Sequence, residues 1–149
     1  MHSRIFGIDL AEHVVEGTQL YLDDIDLPFA DYTDRGTNLD ADVEWLLGYL
    51  GNAQDYITYN PRTRELIFEN GFKEAYFEKR YQALERLVNS EHGFEQFCRD
   101  SYSFSRLINS KYEFYVADSD SCWETLDEFI RGAMPKTAYV IFDSCDYHW

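Results

Sequence analysis

Bases are scarce in this chain. Its 149 residues carry 13 Lys and Arg against 28 Asp and Glu, a formal net charge of −15. Nucleic-acid grooves need the opposite sign, because neutralising phosphates supplies most of that affinity. The largest basic group, Arg62, Arg64, Lys73, Lys79, Arg80 and Arg86, is interleaved with acids, so direct nucleic-acid binding is not expected. Anionic membrane surfaces are disfavoured by the same repulsion. No apolar run approaches the roughly 18 residues of a membrane span. The first residues, Met1 to Phe6, lack the apolar centre of a secretion signal. These absences predict a protein of the cytoplasm.

Cysteine and histidine are also sparse. The three cysteines, Cys98, Cys122 and Cys145, are odd in number and not closely paired, which excludes a disulfide framework. Cys98 and Cys122 fall on predicted helix faces, where small core residues are expected. Cys145 and His148 form half of a zinc-site spacing, but no second pair stands at usable distance, and this end of the chain reads as a flexible tail. Asp31 to Asp42 has the length of a calcium loop. It places Arg35 where an oxygen ligand is needed, and its twelfth residue is Asp rather than Glu. There is no Gly-rich phosphate loop. None of the four histidines (His2, His13, His92 and His148) is marked as a base beside a nucleophile. No catalytic residue, metal or cofactor is expected, and the reading is non-enzymatic.

Aromatic residues, by contrast, are plentiful. Twelve Tyr and 11 Phe give the chain enough apolar surface to fold despite its charge. Strands are predicted over 4–10 and 18–22, followed by a loop over 23–36. Asp40 is the predicted N-cap of a helix to about Leu50, with Val43, Leu46, Leu47 and Leu50 on one stripe. Two β-prone runs, 56–59 and 64–68, flank a turn containing Pro61. Helices follow over 72–89, opened by Gly71, and over 93–108. A strand over 111–117 precedes a Ser121/Glu124 capping box and a helix to Arg131. Residues 137–142 are the most continuous apolar strand. The order β-β-α-β-β-α-α-β-α-β predicts an α+β fold in one domain spanning 1–149, a mostly antiparallel sheet with helices packed on it.

The charge is uneven. Residues 1–44 hold eleven acids and two bases, net −9, whereas residues 61–99 hold seven of each. Asp40, Asp42 and Glu44 lie in the first turn of a predicted helix, where the helix dipole accounts for them. The loop acids Asp23, Asp24, Asp26, Asp31 and Asp34 have no such role and are flanked by Tyr21, Phe29 and Tyr32. DNA carries one charge per roughly 3.4 Å on each strand, and carboxylates on successive turns or alternate strand residues repeat at about 5–7 Å. Such carboxylates can engage a Lys/Arg groove through charge-assisted hydrogen bonds, with aromatic residues as anchors. The eight residues named are therefore the candidate partner-binding set. The expected partner is a basic protein, and the state a monomer or dimer.

Asp26-Leu27-Pro28-Phe29, then Asp31-Tyr32-Thr33, then the helix with Leu46, Leu47 and Leu50, resemble a segment of the ArdA-type anti-restriction proteins. The overall profile is also similar to phage anti-CRISPR proteins. These resemblances imply an acidic DNA mimic that blocks a Cas effector or restriction enzyme inside a bacterial host. Small acidic immunity proteins, which cover a cationic toxin, fit the same composition.

Overall fold

The computed structural model describes residues 2–35, 38–89, 93–108 and 113–149, with the side chains of 107 and 108 left aside. Its elements are β1 (His2–Leu10), β2 (Tyr32–Arg35), α1 (Leu39–Tyr49), β3 (Ile57–Asn60), β4 (Glu65–Phe68), α2 (Phe72–Asn89), α3 (Phe94–Ile108), β5 (Tyr115–Ala117), β6 (Trp123–Thr125), α4 (Leu126–Gly132) and β7 (Ala138–His148). Short 3-10 turns cover Leu22–Asp24 and Gly51–Tyr56. The fold is α+β, as the element order predicted.

One mixed sheet holds all seven strands in the order β3-β4-β7-β1-β5-β6, with β2 also on β7. β1 and β5 run parallel, and the other pairings among the described strands are antiparallel. β7 is the centre. Along one edge it pairs with β1 from Tyr139 to His148. Its other edge is shared, Ala138–Val140 with β4 and Cys145–His148 with β2. The β1–β7 register shifts between Gly7 and Ile8. A Cβ on Gly7 would stand 2.6 Å from the Phe142 ring, so glycine is what lets this ring lie on the backbone there.

Alternation along the strands divides the core into two layers. Phe6, Ile8, Leu66, Phe68, Val116, Tyr139 and Ile141 face α1, α4 and the start of α2, meeting Val43, Leu46, Leu50, Phe72, Phe129 and Ile130. Ile5, Tyr115, Ala117, Cys145 and Tyr147 face the other way. No α-helix among the described residues covers them. Leu20, Ile25 and Leu27 do, with Leu22, Phe29, Ala30 and Trp149 half-buried beside them.

Several local expectations are corrected. Residues 18–22 are not a strand, because side chains replace the ladder: Leu20 N–H donates to Asp143 Oδ2 (2.8 Å) and Tyr21 N–H to Ser121 Oγ (3.1 Å). The expected loop over 23–36 contains β2, and the expected flexible tail is the second half of β7. Each was hidden because the two pair with one another. The helix cap is Asn38, whose Oδ1 accepts from Ala41 N–H (3.1 Å), rather than Asp40. The later capping box is Thr125 with Glu128, not Ser121 with Glu124, because residues 123–125 are first used as β6. Ser121 sits in a turn at φ 63°. His92 and residues 111 and 112 of the predicted strand lie outside the described residues.

The cysteine expectation is reversed. Cys98 and Cys122 are exposed, while Cys145 is buried in the layer under residues 20–30. Burial, reinforced by the charges of Asp143 and Asp146, pushes the Cys145 thiol up to about 12. A thiol indicator is expected to titrate two groups rapidly in the native protein and the third only in denaturant, since thiolate and access are both required.

Candidate acidic interface

The segment from Leu20 to Asp31 is built like a strap. Its apolar residues, Leu20, Ile25 and Leu27, are 0–7% exposed against the sheet. Backbone bonds shape it: Asp24 N–H to Tyr21 O (3.0 Å), Ile25 N–H to Leu22 O (3.2 Å), Ala30 N–H to Leu27 O (2.9 Å) and Asp31 N–H to His148 O (2.7 Å). With the apolar side chains inward, the exposed residues are Tyr21, Asp23, Asp24, Asp26, Pro28 and Asp31.

Asp34 and Tyr32 are exposed too, but they sit on β2 and are tied to β7. Tyr32 stacks on His148 with centroids 4.2 Å apart and planes 12° apart. Asp34 Oδ2 lies 3.4 Å from His148 Nε2. Asp34 therefore has a structural partner that the sequence did not reveal. Phe29 is displaced furthest from its expected role. It is half-buried, tilted on Tyr115 at 5.4 Å and edge-on to Tyr147 at 5.9 Å. It anchors the strap rather than standing free for a partner. Five of the eight expected residues, Tyr21, Asp23, Asp24, Asp26 and Asp31, thus stay together on the strap as exposed side chains, while Tyr32, Asp34 and Phe29 are engaged with the sheet.

Arg35, the one Lys or Arg between Asp9 and Glu44, is turned to β7. Its guanidinium donates to Asp143 Oδ2 (2.7 Å) and to Leu20 O (2.9 Å), pinning the start of the strap to β7. Tyr21, Leu22, Asp23, Asp24 and Arg35 line an open hollow there.

Beside β2 lies a polar network that sequence reasoning missed. Arg4 Nε donates to Asp42 Oδ1 (2.8 Å), Arg4 also contacts Asp146, and its guanidinium lies 5.4 Å from the Trp45 ring centroid. Asp42 is only 6% exposed and its other oxygen accepts from Ser144 Oγ (2.7 Å). So Asp42 is a buried ion-pair partner, not only a helix-dipole charge. Atoms of Asp34, Asp146 and His148 all lie within 4.8 Å of one another. Arg4 already brings positive charge onto Asp146, which makes this cluster an ion-pair network in its own right. The one signal available in the sequence was the alternation Ser144, Asp146, His148, which puts three polar groups on one face of a strand.

Asp9 shows how another member of the acidic stretch is used internally. Its carboxylate accepts from Ser119 Oγ (2.6 Å), Ser119 N–H (3.1 Å) and Leu10 N–H (2.7 Å), with His13 Nδ1 at 3.0 Å. Burial raises its pKa, but these hydrogen bonds together outweigh it and hold the group below the ordinary 3.8. A depressed folded-state pKa adds stability above the unfolded value that is lost as pH falls through the folded one. Urea midpoints measured from pH 5 downward should therefore drop less steeply for Asp9→Asn than for the parent chain, and the variant should be less stable at neutral pH by about 1–3 kcal/mol.

No family model, curated protein or solved structure matches the chain. No described helix is long and apolar enough to cross a membrane.

Proposed function

We propose that this chain binds and inhibits a basic nucleic-acid-binding protein of a host defence system, a CRISPR effector or restriction enzyme, by offering carboxylates where that protein expects phosphates. The observation that carries this reading is the strap: Asp23, Asp24, Asp26 and Asp31 face solvent from a backbone held down by Leu20, Ile25 and Leu27. Acids displayed on an anchored backbone lose little entropy on binding, which favours affinity. Arg35, which shares the hollow with Asp23 and Asp24, is already paired with Asp143 and Leu20 O, so the strap keeps a net negative field. Complementary fields speed encounter and make it salt-sensitive.

Affinity capture from a bacterial lysate tests the reading. A basic nucleic-acid-binding enzyme retained at low salt and released at high salt is expected. One small cationic toxin in its place would assign the chain to toxin neutralisation by the same electrostatics. Absence of any salt-sensitive partner would contradict both.

A further inference from the structure

Beyond the first turns of α2, whose Ala75, Tyr76 and Phe77 pack on the core, α2 and α3 form a helical pair with little burial. Only Phe72, at the start of α2, is fully buried, and no described residue of α3 is. Half-buried Ala83 and Leu87 on α2, and Gln96, Asp100 and Phe104 on α3, mark the seam between them. Beside the seam stand exposed apolar side chains: Tyr81 at 63%, Leu84 at 42% and Val88 at 72% on α2, with Phe94 at 82% and Phe97 at 49% on α3. At 3.6 residues per turn, each stripe lies roughly 70–130° round its helix from the seam, in the direction of the helical turn. With four residues of sequence between Asn89 and Phe94, and with α2 and α3 in contact, the helices are antiparallel neighbours. In an antiparallel pair, two such offsets fall on the same side of the hairpin. The five residues therefore make one patch, with Val88 level with Phe94 and Leu84 with Phe97.

We infer that this patch is where a second copy of the chain docks, closing two hairpins into a four-helix bundle about a two-fold axis. Charge selects the occupant. α2 and α3 together hold six bases (Lys73, Lys79, Arg80, Arg86, Arg99 and Arg106) and five acids (Glu74, Glu78, Glu85, Glu95 and Asp100), net +1 in a chain of net −15. The rest of the chain thus carries −16, and copies meeting through it would repel. On the hairpin two copies meet with little like-charge cost. A strongly basic or acidic partner would require a charge imprint that this patch lacks. Its exposed side chains offer roughly 600–700 Å² per copy, close to the ~800 Å² per partner of a standard interface. An isologous contact satisfies both copies with the same patch and leaves no open end. The two acidic straps belong to the other part of each copy and stay outside this contact.

Light scattering and sedimentation equilibrium on the full chain test the inference at about 100 µM, well above a micromolar dissociation constant. The expected mass is twice 17.6 kDa. Added salt should tighten the dimer, because it screens repulsion between the acidic bodies, the opposite sign to the effect expected on a basic partner. L84E/F97E should return a single-copy mass with unchanged far-ultraviolet circular dichroism, since both side chains are exposed. A single-copy mass for the parent chain at low and high salt overturns the inference, as does a dimer that survives L84E/F97E. A monomeric chain that forms a mixed complex lost in L84E/F97E assigns the patch to that other protein and also overturns it.

Discussion

Replacing Tyr147 with alanine will lower stability by about 3–5 kcal/mol, the range for removing a fully buried aromatic side chain. Tyr147 is 0% exposed. Its ring meets Phe29 at 5.9 Å, Tyr115 at 5.6 Å and Trp149 at 5.1 Å, and its hydroxyl donates to Glu113 O at 2.5 Å. These contacts join β7, β5 and the strap, so the substitution opens a cavity directly beneath the acidic segment. For a chain of this length the loss corresponds to a fall in Tm of roughly 10 °C or more. Calorimetry and urea titration both read it. A change within about 0.5 kcal/mol, typical of a surface substitution, would mean that the strap is not packed on the sheet as described.

Reversing charge on the strap should separate function from stability. D23K/D24K/D26K replaces three exposed carboxylates with three cations. It should weaken binding of the captured partner at least tenfold, on the order of 1.4 kcal/mol or more, measured by titration calorimetry. The fold should tolerate it. The three side chains are exposed, while the burial that holds the strap belongs to Leu20, Ile25 and Leu27. The thermal midpoint is therefore expected to hold or rise slightly as self-repulsion falls. A variant that binds as tightly as the parent would remove the strap from the interface.

Much of the architecture was legible where its cause is local. The β3–β4 hairpin follows from β-prone runs around Asn60-Pro61, α2 from Gly71 and an apolar stripe, and α3 from its own periodicity. The second half of β7 was not legible for a physical reason. Its buried residues Cys145 and Tyr147 alternate with Ser144, Asp146 and His148. Ser144 hydrogen-bonds Asp42, and Asp146 and His148 lie against Arg4 and Asp34, each partner more than 100 residues away in sequence. Without these partners the stretch looks like a solvated end. The same distance hid β2 and the ion pair of Asp42.

Within the candidate site, Asp23, Asp24, Asp26 and Asp31 were readable as acids without a local structural role, and they are exposed in the fold. The packing of Phe29 on Tyr115 and Tyr147 was not readable, because an aromatic beside acids looks the same in sequence whether it anchors a strap or meets a partner. The contact of Asp34 with His148 was not readable because the two are 114 residues apart in sequence.

The most direct measurement is a competition. The captured partner is saturated with labelled duplex DNA, and this chain is titrated in while bound DNA is followed by fluorescence anisotropy. If the strap imitates phosphates, the chain displaces the duplex, excess unlabelled duplex reverses the displacement, and D23K/D24K/D26K displaces it poorly. A complex in which chain and duplex are held together, with the partner's DNA affinity unchanged, would contradict the proposal.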